Sequence, residues 1–168
     1  MRIAVIILLV FFAFGGYAQR DCLRFVYSAQ VGVKERGNNR GKEVEAYQRA
    51  AGVKPGNPWC ASFVYWCHQQ CDPGFNLPSG AQANSWFPRH KLVYHRNKKI
   101  NRRPQYGDVI GIYSPESKRI GHVGFYDSET KEFIVTVEGN VRSKGTGGVW
   151  RIKRIKRTVY AIARWTGN

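Results

Sequence analysis

From Pro104 onward the chain changes its hydrophobic period, and that change restricts it to one broad architecture. Gln105-Tyr106-Gly107-Asp108 opens a series of β-branched and aromatic runs, Val109 to Tyr113, His122 to Asp127, Phe133 to Glu138, Val149 to Ile152 and Val159 to Trp165. Short turns such as Ser114-Pro115-Glu116-Ser117 and Asp127-Ser128-Glu129-Thr130 join neighbouring runs, so the strands are expected to be hairpin-linked and antiparallel. Upstream the spacing is helical. Val44, Tyr47, Ala50 and Ala51 predict a helix over about 42–51 that stops at Gly52, and a second is expected over about 59–71. Ser79 is positioned to cap a third, short one containing Ala83, Trp86 and Phe87 and ended by Pro88. Helices first, then an antiparallel sheet, is an α+β order.

Other stretches are less regular. Residues 20–38 show no single period, and Glu35 to Gly41 reads as a loop. His90 to Arg103 is strongly basic and is expected to be a solvated loop with room for one short strand. The Arg-Ile-Lys repeat at 151–156 has a period of three, which suits neither helix nor strand; it reads as a charged turn or a sheet edge blunted against aggregation.

The first 18 residues have the pattern of an export leader. Arg2 supplies the charge, Ile3 to Phe14 an apolar run too short for an ordinary membrane span, and Gly16-Tyr17-Ala18 a small-x-small cleavage site before Gln19. The expected organisation is a leader over 1–18 and one domain over 19–168, because about 150 residues suffice for a single core and leave no room for a second. The full 168 residues carry 27 Lys and Arg against 11 Asp and Glu. The mature chain, without Arg2, is thus expected to hold a net charge of about +15. In an exported protein such a surplus points to an anionic envelope polymer before nucleic acid, and to the membrane only through the leader.

Pro58-Trp59-Cys60 sets the chemistry. Pro55, Gly56 and Pro58 prevent a helix from running through, so the second helix is expected to begin near Trp59 and Cys60. A thiol at a helix N-terminus meets unpaired N–H groups and the positive end of the macrodipole, which favour the thiolate. Phe63, Val64, Cys67 and Cys71 fall within roughly 60° of Cys60 on a helical wheel, giving one apolar face for a sheet. In an oxidising compartment Cys22, Cys67 and Cys71 become disulfide candidates. Cys67 faces the core while Cys71 lies at the helix end beside Asp72-Pro73, which favours Cys22 with Cys71; Cys67 with Cys71 is the alternative.

His122 lies between glycines in Ile120-Gly121-His122-Val123-Gly124, at the expected start of a strand, and Glu138 closes the next in Val137-Glu138-Gly139-Asn140. In a hairpin these ends are neighbours. Nucleophile at a helix start, base on a facing strand and carboxylate beside the base is the arrangement a thiol hydrolase requires.

Taken in order, Gly37-Asn38-Asn39-Arg40-Gly41, Pro58-Trp59-Cys60-Ala61-Ser62-Phe63-Val64, Tyr106-Gly107-Asp108-Val109, Gly121-His122-Val123-Gly124 and Val137-Glu138-Gly139-Asn140 give the chain a clear likeness. It resembles the CHAP domain, the cysteine- and histidine-dependent amidohydrolase/peptidase family with a papain-like fold. The resemblance implies hydrolysis of an amide in bacterial peptidoglycan, in the stem peptide, the cross-bridge or the muramoyl-L-alanine link, by a monomeric enzyme without a cofactor. Cys60 is the implied nucleophile, its backbone N–H an oxyanion donor, His122 the base, and Glu138 or Asn140 the orienter. Glu138 is favoured because Gly139 is expected to begin a turn that carries Asn140 away. Some phage members carry an acidic calcium loop just before the cysteine, but Val53-Lys54-Pro55-Gly56-Asn57 has no carboxylate, so no metal is expected. Trp59, Trp86 and Tyr106 are the candidates for the groove wall. His68, His90 and His95 are read as structural or surface residues. A catalytically inactive, cationic wall-binding module is the alternative reading, and the presence of all three site residues counts against it.

Overall fold

The computed structural model describes residues 17–75, 77, 80–143 and 145–167. The leader expected over 1–18 lies, but for its last two residues, outside this range, as does the Ser79 cap. Helices α1 (17–29), α2 (Lys42–Ala50) and α3 (Cys60–Cys71) precede strands β1 (Leu92–His95), β2 (Val109–Ser114), β3 (Arg119–Glu129), β4 (Phe133–Ser143), β5 (Thr146–Ile155) and β6 (Val159–Ala163). The strands form one antiparallel sheet in the order β1-β6-β2-β3-β4-β5. The result is α+β, with the helices packed on one antiparallel sheet. Ala83–Trp86 makes a single 3-10 turn that leaves out Phe87, so the expected third helix is shorter than its apolar spacing suggested.

Residues 20–38 hold the largest departure from the sequence reading. Residues 17–29 form a helix whose inward face carries Leu23 and Tyr27, both fully buried, together with Arg20. Two buried aspartates of the sheet half fasten it. Asp108, after the Tyr106-Gly107 turn, accepts from Arg20 at 3.3 Å on α1 and from Arg164 at 3.0 and 3.1 Å beyond β6. Asp127 on β3 accepts from Tyr27 at 2.9 Å and Arg24 at 3.2 Å, and pairs with Arg151 of β5. Each buried oxygen thereby has its donor, and removing one partner leaves the others unpaired in the core. A disulfide between Cys22 and Cys71 joins α1 to the last residue of α3.

The strands also run longer than the sequence patterns implied. β3 begins at Arg119, and β4 continues through Gly139 to Ser143. Gly139 therefore starts no turn. Instead a bulge interrupts the β4–β5 register between Glu138 and Val141, and Asn140 takes a left-handed φ of 59° there. The 151–156 repeat belongs mostly to β5, which pairs with β4 alone among the strands. The other side of β5 is covered in part by residues 32–35, where the amide of Gly32 reaches the carbonyl of Val149 at 3.0 Å and that of Glu35 reaches Gly147 at 3.0 Å.

Candidate active site

α3 is seated on β4 by the absence of a side chain. A Cβ on Gly139 would lie 2.7 Å from Trp59 and 2.8 Å from Phe63, so only glycine lets the start of α3 press against the strand. Phe63 and Val64, fully buried, anchor the helix. Burying such side chains contributes about 1.5–3 kcal/mol each. The approach to Cys60 is fixed from the other side by Gln48, whose amide donates to the carbonyls of Asn39 at 3.1 Å and Asn57 at 2.8 Å, joining the loops before α2 and α3. Asn39 and Gly56 pair in addition, with the Gly56 amide on the Asn39 carbonyl at 3.1 Å and the Asn39 side chain on the Gly56 carbonyl at 3.2 Å.

Cys60 is the first residue of α3 and is 7% exposed. His122 on β3 shares a hydrogen bond with it. The imidazole Nε2 lies 2.7 Å from Oε2 of Glu138, leaving Nδ1 for the sulfur. Glu138 is fully buried on β4. Extending the Phe125–Val137 register places it opposite Gly124, two residues from His122 on the same face. A Cβ on Gly124 would overlap Glu138 Cγ; the bare glycine is the slot through which the carboxylate reaches the imidazole.

The carboxylate is held by more than His122. Arg154 of β5 donates from Nε to Oε1 and from Nη2 to Oε2, each at 2.5 Å, and the Thr136 hydroxyl donates to Oε1 at 2.5 Å. Neither residue was singled out from the sequence. Arg154 lies in the Arg-Ile-Lys repeat, whose charge marks the sheet edge that β5 forms but does not by itself mark one of its arginines as a partner of Glu138. The available signal was strand alternation, since 150, 152 and 154 share a face and Trp150 pairs with Glu138.

The electrostatics follow from these contacts. Burial alone would raise the Cys60 thiol, but the hydrogen bond and charge of His122, with the backbone amides of Val123 and Ala61, outweigh it and bring the thiol below its ordinary value. Burial would likewise disfavour the imidazolium of His122; its bonds to Cys60 and Glu138 reverse that and hold it well above the usual histidine range. Glu138 would be raised by burial, yet Arg154 and then His122 hold it down at about 2. Together the three groups favour a thiolate–imidazolium pair backed by a permanent carboxylate.

An open groove of about 360 Å³ passes over Cys60, bordered by Asn57, Pro58, Gln82, Ala83, Arg119 and Gly121. The residues expected in its wall are elsewhere. Trp59 and Trp86 are fully buried, because the start of α3 and the 3-10 turn each need a large apolar anchor. Tyr106 lies against α1, donating to Asp21 at 2.9 Å beneath the guanidinium of Arg24. Asn140 sits at the bulge, and the carboxylate on the imidazole is that of Glu138. His68 is fully buried among Phe75, Trp86 and Phe125.

The CHAP domain profile matches residues 52–140, more than half of the chain, a span that includes Cys60, His122 and Glu138. No curated protein sequence matches the chain. Among solved structures, a glutamate mutant of the resuscitation promoting factor interacting protein RipA matches with a TM-score of 0.53 and 15% identity. The match covers 92% of this chain and 65% of that one, a likeness of fold over part of the longer protein. Profile and architecture agree, and the chain belongs to the CHAP domain family.

Proposed function

We propose that the protein is an exported peptidoglycan hydrolase that cleaves an amide bond by cysteine nucleophilic catalysis. The observation that carries this reading is the Cys60–His122–Glu138 line, with the nucleophile opening onto a groove. The Cys60 thiolate adds to the amide carbonyl, and the oxyanion is received by N–H groups at the start of α3, among them that of Cys60. The His122 imidazolium gives its proton to the leaving amine, the C–N bond breaks, and an acyl-thioester remains. Water then attacks the thioester with His122 as base, releasing the carboxylic acid and restoring the thiol. Glu138 keeps one tautomer and stabilises the cation throughout. Ala81, Ala83 and Gly121 make a shallow floor suited to small side chains, and Arg119 supplies a cation for a substrate carboxylate. The protein acts as a monomer, and the basic surplus holds it to anionic envelope polymers.

Mass spectrometry of purified peptidoglycan after digestion tests this directly. A new amine and a new carboxyl at one defined amide are expected with the native protein and absent with Cys60→Ala. Iodoacetamide should label Cys60 before Cys67, whose thiol is fully buried and raised by that burial. Undiminished cleavage by Cys60→Ala would overturn the assignment.

A further inference from the structure

A second recess lies at the opposite edge of the sheet from β5. It has a volume of about 650 Å³ and is bordered by Arg89, His90, Lys98, Lys99 and Arg102 over Leu92 and Ile100. Among the described residues, no acidic one borders it. The chain spends its carboxylates elsewhere, on Arg20, Arg24, Arg151, Arg154, Lys156 and Arg164. Among the described residues, none of Arg89, Lys98, Lys99 and Arg102 has a carboxylate within ion-pair range. The wall that carries them is built. Lys98 follows a tight turn closed by its amide on the His95 carbonyl at 3.1 Å, and Arg96 in that turn stacks over Tyr160 and donates to the Arg157 carbonyl.

Four uncompensated cations around one concavity focus a positive potential that a flat surface with the same charge does not. Arginine offers a planar fork and lysine a point charge, and both recognise phosphate oxygens. The apolar floor suits the carbon chain between successive charges. We infer that this cleft is a binding site for a phosphodiester-linked polyol, lodged across the β1 edge. β1 is separated from β3 by β6 and β2, so the cleft stands roughly 15 Å from the strand of His122 at ordinary strand spacing. A polymer seated there tethers the chain while leaving the groove over Cys60 open. The biological identity of the polymer rests on the wall-hydrolase reading; the phosphate site does not.

The test uses the Cys60→Ala chain, so that binding is read without turnover. Its affinity is measured for a purified poly(glycerol phosphate), for vesicles containing phosphatidylglycerol, and for duplex DNA at equal phosphate concentration. Replacing Arg89, Lys98, Lys99 and Arg102 by Gln together should weaken polymer binding at least tenfold more than the same replacement at Lys42, Arg49, Lys131 and Arg142. That control removes equal charge from exposed positions outside the cleft. Cleft-dependent binding of the vesicles above the polymer would overturn the polyol as occupant and make the site one for a lipid headgroup. Equal losses in the two variants, or tighter binding of DNA than of polymer and vesicles, would overturn the proposal. In the chain that retains Cys60, the cleft variant should hydrolyse a small soluble peptide substrate at the native rate. Loss of polymer binding with hydrolysis intact therefore concerns the cleft alone, and absence of hydrolysis with binding intact concerns the proposed activity alone.

Discussion

Arg154 grips both oxygens of Glu138 from the neighbouring strand, so the carboxylate that faces His122 is shared between two cations. The consequence is a pH dependence. With Arg154 in place Glu138 stays ionised down to about 2. In Arg154→Met the cation is gone while the burial remains, and the carboxyl rises to a higher value, with His122 alone left to hold it down. As pH falls through that value Glu138 takes a proton and His122 loses its anion. Turnover should fall about 100-fold from misplacement alone, with KM little changed. The acid limb of the kcat profile should move upward, and Arg154→Lys should restore part of it. An acid limb that stays where it was would show that Arg154 only fills space.

Gly124 and Glu138 make a second relationship testable. Because a Cβ at 124 would overlap Glu138 Cγ and crowd the Val137 carbonyl, Gly124→Ala should push the carboxylate off the imidazole. Turnover is expected to drop by about two orders of magnitude. The alkylation rate of Cys60 against pH should show a weakened imidazolium, its basic limb moving down because the cation has lost its anion. A variant with native kcat and native alkylation profile would contradict the slot.

The Cys22–Cys71 bond closes a loop of 49 residues in sequence separation. Chain-entropy arguments place its contribution at about 4 kcal/mol. Cys22→Ser with Cys71→Ser should lower the denaturation midpoint accordingly, and a reductant should do the same to the native protein. Urea melts with and without dithiothreitol measure both. A midpoint indifferent to reduction would show that Asp108 and Asp127 hold α1 by themselves.

His68 gives a prediction on stability rather than activity. Burial lowers it from 6.5 to about 3, and neither ring nitrogen has a hydrogen-bond partner among the described residues. The unfolded chain therefore binds a proton between pH 6.5 and 3 that the folded chain refuses. Across that window stability falls with falling pH by about 1.4 kcal/mol per unit. His68→Phe should remove this slope, leaving the acid-side melting curve flatter. An unchanged slope would place the acid sensitivity in other groups.

How far the sequence speaks depends on whether an element carries its own pattern. α2, α3 and the cores of the longer strands alternate as isolated elements should, and the order of Cys60, His122 and Glu138 could be read directly. α1 could not be, because its inward positions include Arg20 while Phe25 points to solvent at 77% exposure. Its pattern makes sense only once Asp108 and Asp127 are in place. β5 is the sheet edge that its charged repeat indicates, but the place of Arg154 in it could not be read for the same reason. Ile155 is 46% exposed on the outer face and Arg154 takes an inner one, so the repeat of three concealed a strand alternation of two. Gly139 was read as a turn because glycine after a strand usually is one; here its bareness serves the contact with Trp59 and Phe63. Where an ion or a glycine is chosen for a partner far along the chain, local pattern carries no trace of it.

Gln48 reaches backbone carbonyls, those of Asn39 and Asn57, and not their side chains. A carbonyl is present whatever residue bears it. Through this contact the two loops leading to Cys60 are held in length whatever side chains stand at 39 and 57, since an inserted residue would carry a carbonyl out of reach of one short amide. In descendants of this sequence, insertions and deletions should be missing from 36–41 and 52–59, and from both loops together, wherever position 48 stays glutamine.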